Sequence, residues 1–348
     1  MSELNEKQRL LAALNKQKVD RPPVICMGGM MNAAVTEIVK GSEARLPAAH
    51  FDAVLMAELV AQVQASTGFE NYGIPFCMTI EAEALGSSID PGTEICEPKV
   101  VKEIFPNSND LIEKDIVKLC DNSRVAVVVE AIRQLAAKNT GIPIVASLTG
   151  PISTAASIVD PMTFLKELRK NPEGAHRVMT YVTAFLKEFA SRVIAAGADV
   201  VAIGDPTATG EILGPRAFAE YAVKYINELT SHIRASGSRS IIHICGDMSS
   251  SRQFLGQITA DAVSVDAAVN LVKLKQEFPG LVAMGNVSTY LLEWGPSERI
   301  AKTAAKLATD GIDIVSPACG LSCSTRINYI RAMTDAVRDK EGYHYAED

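Results

Sequence analysis

Hydrophobic positions in this chain follow two alternating patterns. Continuous runs of Val, Ile and Ala, each ended by Gly, Pro or a polar residue, alternate with longer stretches whose apolar positions recur at helical spacing. Leu4, Leu10, Leu11 and Leu14 predict a helix over 3–17, stopped by Asp20-Arg21-Pro22-Pro23, and VICMG at 24–28 reads as the first strand. The spacing from Leu46 to Thr67 is helical. Residues 69–120 mix short strand-like runs with Gly and Pro, and predict a second strand carrying an elaborated loop, of the sort that lies over a barrel mouth. Beyond it the alternation is regular: helix 124–139, strand 143–150, a long helical region over 161–196, strand 198–206, helix 215–235 and the strand SIIHICG at 240–246. Strands at 262–266, 281–286 and 313–320 follow, separated by helical stretches, and a last helix occupies about 325–340.

Eight such strands and their helices within 348 residues specify a buried parallel sheet closed on itself. The expected fold is an α/β (β/α)8 TIM barrel, a single domain over 1–348 with an N-terminal helical extension at 1–20 and an insertion or lid at 69–120. An open doubly wound sheet is the competing architecture. Against it, no G-x-G-x-x-G turn follows the first strand and no G-x-x-x-x-G-K-S/T occurs anywhere.

Active sites of barrels sit at the C-terminal strand ends, and here those ends carry Asp205, His243, Cys245, Asp247, Asp266, Asn286 and Cys319. Alternate side chains of a strand share a face, so His243 and Cys245 project together from SIIHICG. An imidazole nitrogen and a thiolate side by side are half of a zinc site, whose other half has Cys319, Cys323 and Asp266 as candidates. The remaining cysteines, Cys26, Cys77, Cys96 and Cys120, have no partner at ligand spacing. Met30, in the Gly28-Gly29-Met30-Met31 segment after the first strand, is placed to line an apolar ligand surface. Glu81 and Glu83 alternate along a strand-like run and are placed to meet a ligand. Asp205 and Asp247 are candidates to orient metal ligands through hydrogen bonds, or to close turns.

Composition narrows the function. With 47% hydrophobic residues the chain buries a large core, and its formal charge of −7, without a dense Lys/Arg cluster, argues against nucleic acid as a partner. The start is charged from its third residue and no segment runs eighteen apolar residues, so no membrane association and a cytoplasmic location are expected. Seven scattered cysteines fit a reducing compartment in which thiols stay free or bind metal.

HICG at 243–246, SVD at 264–266, GNVS at 285–288 and GIDIVSPACG at 311–320 resemble the methylcobamide:coenzyme M methyltransferases, a zinc branch of the uroporphyrinogen decarboxylase superfamily. The similarity extends nearly end to end, through RLLAALNKQKVDRPPV, PFCMTIEAEALG, TGPISTAAS and GADVVAIGDP. It implies Zn2+ held by His243, Cys245 and Cys319, the second cysteine lying 74 positions after the first. It also implies a carboxylate, here Asp266, on the metal when no substrate thiol is bound. The chain departs from the family pattern in having Asp where Glu is expected, which leaves water as another fourth ligand, and in LSCSTRIN at 321–328.

The activity implied is methyl transfer from a methyl-cobalt(III) corrinoid to a zinc-activated thiol such as coenzyme M. A tetrahydrofolate acceptor is the first alternative. A non-enzymatic zinc- or ligand-binding barrel is another, and a decarboxylase a weaker one, because GGMMN after the first strand, with only Arg21 nearby, lacks the arginines a polycarboxylate needs. The D-x-H-x-x-G signature for a lower corrinoid ligand is absent, so a separate corrinoid protein is the expected partner.

Overall fold

The computed structural model describes residues 3–339; the ends of the expected domain, and residue 340 of the last expected helix, lie outside the described residues. Six strands form one parallel sheet in chain order, Tyr72–Ile74, Ile144–Thr149, Val200–Gly204, Arg239–Ile244, Ala262–Val265 and Ala283–Met284. Two further extended segments close it. Ile314 pairs with Met284 and Val315 with Val24, all parallel, while Val315 N–H donates to Pro23 and Ile25 N–H to Val315. Glu70 N–H then donates to Val24, joining the first segment to the second. The ring therefore has the eight expected strand positions and no free edge among the described residues.

Closure rests on two buried side chains. Asn71 spans the first and second strands, its Oδ1 accepting from Cys26 N–H at 3.0 Å and its Nδ2 donating to Cys26 O at 2.8 Å. Glu70, fully buried, accepts from Arg9, Arg21 and the backbone N–H of Val24 at 2.7–2.9 Å. Arg9 comes from the N-terminal helix Glu6–Leu14, shorter than expected because Asn5 caps it in a reciprocal capping box with Gln8. That helix is thereby tied to the floor of the barrel.

The helix expected from Leu46 to Thr67 is a 3-10 turn, Ala48–His50, followed by the helix Ala53–Thr67 capped by Asp52, and three further local expectations are corrected. The long helix over 161–196 is broken into Pro161–Lys170 and Pro172–Ala196, since Asn171 precedes a proline, leaves the helical region and caps Gly174 N–H. The helix over 215–235 becomes Gly210–Ala217, a π-turn over Phe218–Val223, and Lys224–Ala235. Glu81 and Glu83 lie in a helix, Ile80–Leu85, closed by left-handed Gly86, and so do not share a strand face. The rest of 69–120 forms an antiparallel pair, Ser88–Asp90 with Lys99–Lys102, and the short helix Ile116–Asp121.

The helices pack outside the ring on apolar stripes. Arg124–Ala137 buries Val125, Val128, Ile132 and Leu135 at helical spacing and starts at a Ser123 cap. His50 is buried beside Phe76, with neither ring nitrogen hydrogen-bonded among the described residues, and burial plus the Arg124 charge push its pKa down to about 4.

Two stability outcomes are expected. Glu70→Ala leaves two guanidinium groups without their buried partner and should cost about 3–5 kcal/mol, read from urea unfolding. His50 has a folded pKa below its ordinary value of 6.5, so its unfolded form takes up protons first. Its contribution is therefore present above about pH 6.5 and lost as pH falls towards 4; His50→Phe should flatten the stability–pH curve in that window.

Candidate metal centre

His243 and Cys245 come from one strand end, and Cys319 from the turn after the last strand position. Their ligand atoms all lie within 4.8 Å of one another at the C-terminal mouth of the barrel. Cys245 Sγ is 3.1 Å from His243 Nε2 and 3.4 Å from Cys319 Sγ. The imidazole is fully buried, whereas both thiols are free and half-buried, so the cluster faces outwards through its sulfurs.

The histidine is held by a residue that sequence reasoning missed. Parallel register sets Ser264 beside His243, and Ser264 Oγ lies 2.9 Å from Nδ1. With Nδ1 engaged, Nε2 is the nitrogen left for a metal. The signal was present in the SVD run, because neighbouring parallel strands of equal depth present residues of equal height. Only the register, set by closure, identifies which serine.

Electrostatics favours a cation here. Cys319 accepts hydrogen bonds from Cys245 and His243, which hold its thiol down at about 5. The same pairing, then burial, raises Cys245 above the ordinary thiol range, with the charges of Asp266 and Asp205 adding to it. Without metal the pair thus carries one negative charge readily and resists the second. A divalent cation removes that conflict, and one imidazole with two thiolates is a donor set that suits zinc with a position left open.

The other sequence candidates are distributed as follows. Met30 lies at the cluster, its Sδ 3.8 Å from Cys245 Sγ. The Asp266 carboxylate is outside the group of mutually close donors; its Oδ1 accepts from Ala268 N–H, and its carbonyl from Asn286 Nδ2. Asn286 also donates to Val269 O, so it shapes the Asp266 turn. Asp205 is fully buried and accepts from Ile152 N–H, Ser153 N–H and Ser153 Oγ; burial nevertheless pushes its carboxyl up to about 6. Asp247 is exposed and closes a local turn with Ser249. Glu83 is paired with Arg124 away from the cluster, and Glu81 is buried against Thr149. Cys323 is exposed and stands outside the donor group.

A closed parallel barrel with a cluster of soft donors at its C-terminal mouth has the form of a barrel enzyme. The chain belongs to the uroporphyrinogen decarboxylase (URO-D) family, whose model matches residues 5–340. It is 30% identical over 341 residues to the methylcobamide:CoM methyltransferase MtbA of Methanosarcina acetivorans, covering 97% of this chain and 99% of the relative. The corresponding MtaA of Methanosarcina barkeri is 28% identical, covering 98% and 99%. A solved methyltransferase from Methanosarcina mazei superposes with a TM-score of 0.90 at 28% identity, covering 97% and 99% of the two chains.

Purified protein should carry about one zinc per chain, and Cys245→Ala or Cys319→Ala should lose it while Cys323→Ala keeps it. Ser264→Ala should retain the fold and weaken zinc binding about 10- to 100-fold, measured by competition with a chromogenic chelator.

Proposed function

We propose that this protein transfers a methyl group from a methyl-cobalt(III) corrinoid, presented by a separate corrinoid protein, to a thiol held at a zinc centre formed by His243, Cys245 and Cys319. The observation that carries the reading is the convergence of these three donors at the barrel mouth with an open side. Relatives matching almost the whole chain are named for methylcobamide and coenzyme M, which supports a corrinoid donor and a thiol acceptor of that kind. The zinc would supply a lowered thiol pKa and a fixed position for the sulfur.

The chain's residues do the remaining work. Ser264 fixes the imidazole, and the two half-buried cysteines confine the acceptor sulfur to the mouth. The acceptor's proton leaves to solvent, its sulfur lone pair forms the S–CH3 bond, and the Co–C electron pair stays on cobalt as cobalt(I). Met30 presents an apolar thioether to this space, which disfavours water as a competing nucleophile. The segment 69–120 acts as a cover. Supporting this, residues 93–97 of the loop joining its antiparallel pair line a narrow cleft with Asn32 and residues 321–323 from the loops after the first and last strands, and Asn32 Nδ2 donates to Glu97 at 2.5 Å.

A structural zinc role would want a closed set of four protein ligands, and Cys323 lies outside the donor group. Tetrahydrofolate offers a nitrogen nucleophile that gains less from a soft-ligand centre. No described helix is long and apolar enough to cross a membrane.

Under anaerobic conditions the zinc-loaded protein should convert methylcobalamin absorption to that of cobalt(I) when coenzyme M is added, and lose that rate on chelation. Demethylation driven by tetrahydrofolate alone, indifferent to chelator, would replace the thiol acceptor. No demethylation even with a cognate corrinoid protein would remove the methyltransferase reading.

A further inference from the structure

Resting on the zinc-centre reading above, we propose that the thioether of Met30 is the fourth ligand of the resting metal, displaced when the acceptor thiol binds. Two sulfurs on one tetrahedral zinc, each at about 2.3 Å, lie about 3.8 Å apart. Met30 Sδ and Cys245 Sγ are 3.8 Å apart. The thioether therefore already stands at the separation expected of a second sulfur ligand. The donors considered from sequence do not fill this place, since Asp266 and Cys323 are both outside the donor group.

The backbone around Met30 is built to hold it there. Met31 N–H donates to Gly28 O at 3.0 Å, making a tight turn with Gly28 at φ +90° and Gly29 at φ +59°, and Met30 at its apex. Gly29 N–H anchors that turn to Pro75 O at 2.7 Å. Two glycines from other strand ends leave room for it. A Cβ on Gly320 would meet Met30 O at 2.5 Å, and one on Gly204 would touch Met30 Cβ and Sδ at 3.7 and 3.9 Å. A side chain at Gly320 would collide with that carbonyl and shift the methionine, whereas a Cβ on Gly204 would rest in ordinary contact with it.

The chemistry suits an exchangeable ligand. A thioether is soft, which fits a thiolate-rich centre, and neutral, so the charge of zinc with two thiolates and an imidazole stays near zero. It binds zinc more weakly than a thiolate does. An incoming acceptor thiolate therefore wins the position, its proton passing to solvent. Once methylated, the acceptor is itself a CH3–S–CH2 thioether, the same donor group as Met30. The product then has no advantage over the tethered side chain, and Met30 returns to release it.

The test uses the full chain labelled with selenomethionine, loaded with zinc and measured by X-ray absorption at the zinc edge. One selenium neighbour is expected at about 2.4 Å, the zinc–sulfur length of about 2.3 Å extended for the larger atom. It should vanish in Met30→Leu that still holds about one zinc per chain, and vanish from the unsubstituted protein when coenzyme M is added in excess. A zinc shell without selenium in the unsubstituted labelled protein overturns the assignment while leaving the zinc centre standing. So does a selenium neighbour that survives Met30→Leu or excess thiol. If that variant does not fold, the thiol titration decides alone. A labelled protein that binds no zinc removes the centre itself, and the assignment with it.

Discussion

The pairing of the first strand with the last is the constraint on which the rest depends. A parallel sheet of six strands would have two exposed edges; the contacts of Ile314 with Met284, of Val24 with Val315 and of Glu70 with Val24 remove both. The seam is not made by backbone alone. Asn71 substitutes its amide for a stretch of ladder against Cys26, and Glu70 anchors the start of the first strand through two arginines. Closure then sets the loop after the first strand against the loop after the last, which is why a Cβ on Gly320 would meet the carbonyl of Met30 and why Thr36 N–H reaches Cys323 O. The donor cluster is a result of this seam meeting the fifth strand position across the mouth.

Much of the fold was legible because buried parallel strands declare themselves as Val/Ile/Ala runs. IVASLT and VVAIG are buried at every position, as such runs require. The first and seventh strand positions were legible by composition, yet they make only brief ladder contacts, Val24 through a single bridge and Ala283–Met284 over two residues. IEAEALG misled because alternating Glu and apolar residues read as a strand over so short a span, while Gly86 as a helix terminator fits either pattern. Asn171-Pro172 was a visible break, overridden by the amphipathic spacing on both sides of it.

At the site, the His-x-Cys pair was readable from strand periodicity, and Cys319 as a strand-end candidate beside Cys323 and Asp266 from which family likeness singled it out. Ser264 was not readable, since its role depends on register. Asp205 and Asp247 followed the ordinary logic of turns: one takes two backbone N–H groups at the start of the helix Pro151–Ile158, the other closes on Ser249. The strand-end carboxylates are thus already engaged by local N–H donors, whereas the nitrogen and sulfur atoms of His243, Cys245 and Cys319 face one another.

The donors are spread along the chain in a way that bears on how the protein is made. His243 and Cys245 emerge late, and Cys319 only near the end, with the seam at Val315 shortly before it. Until then, a chain leaving the ribosome carries the histidine and one thiol of the cluster without its second thiol. With the proposed zinc centre, metal loading would follow completion of the ring, so that a zinc-bearing molecule would be one whose last strand has already found its first.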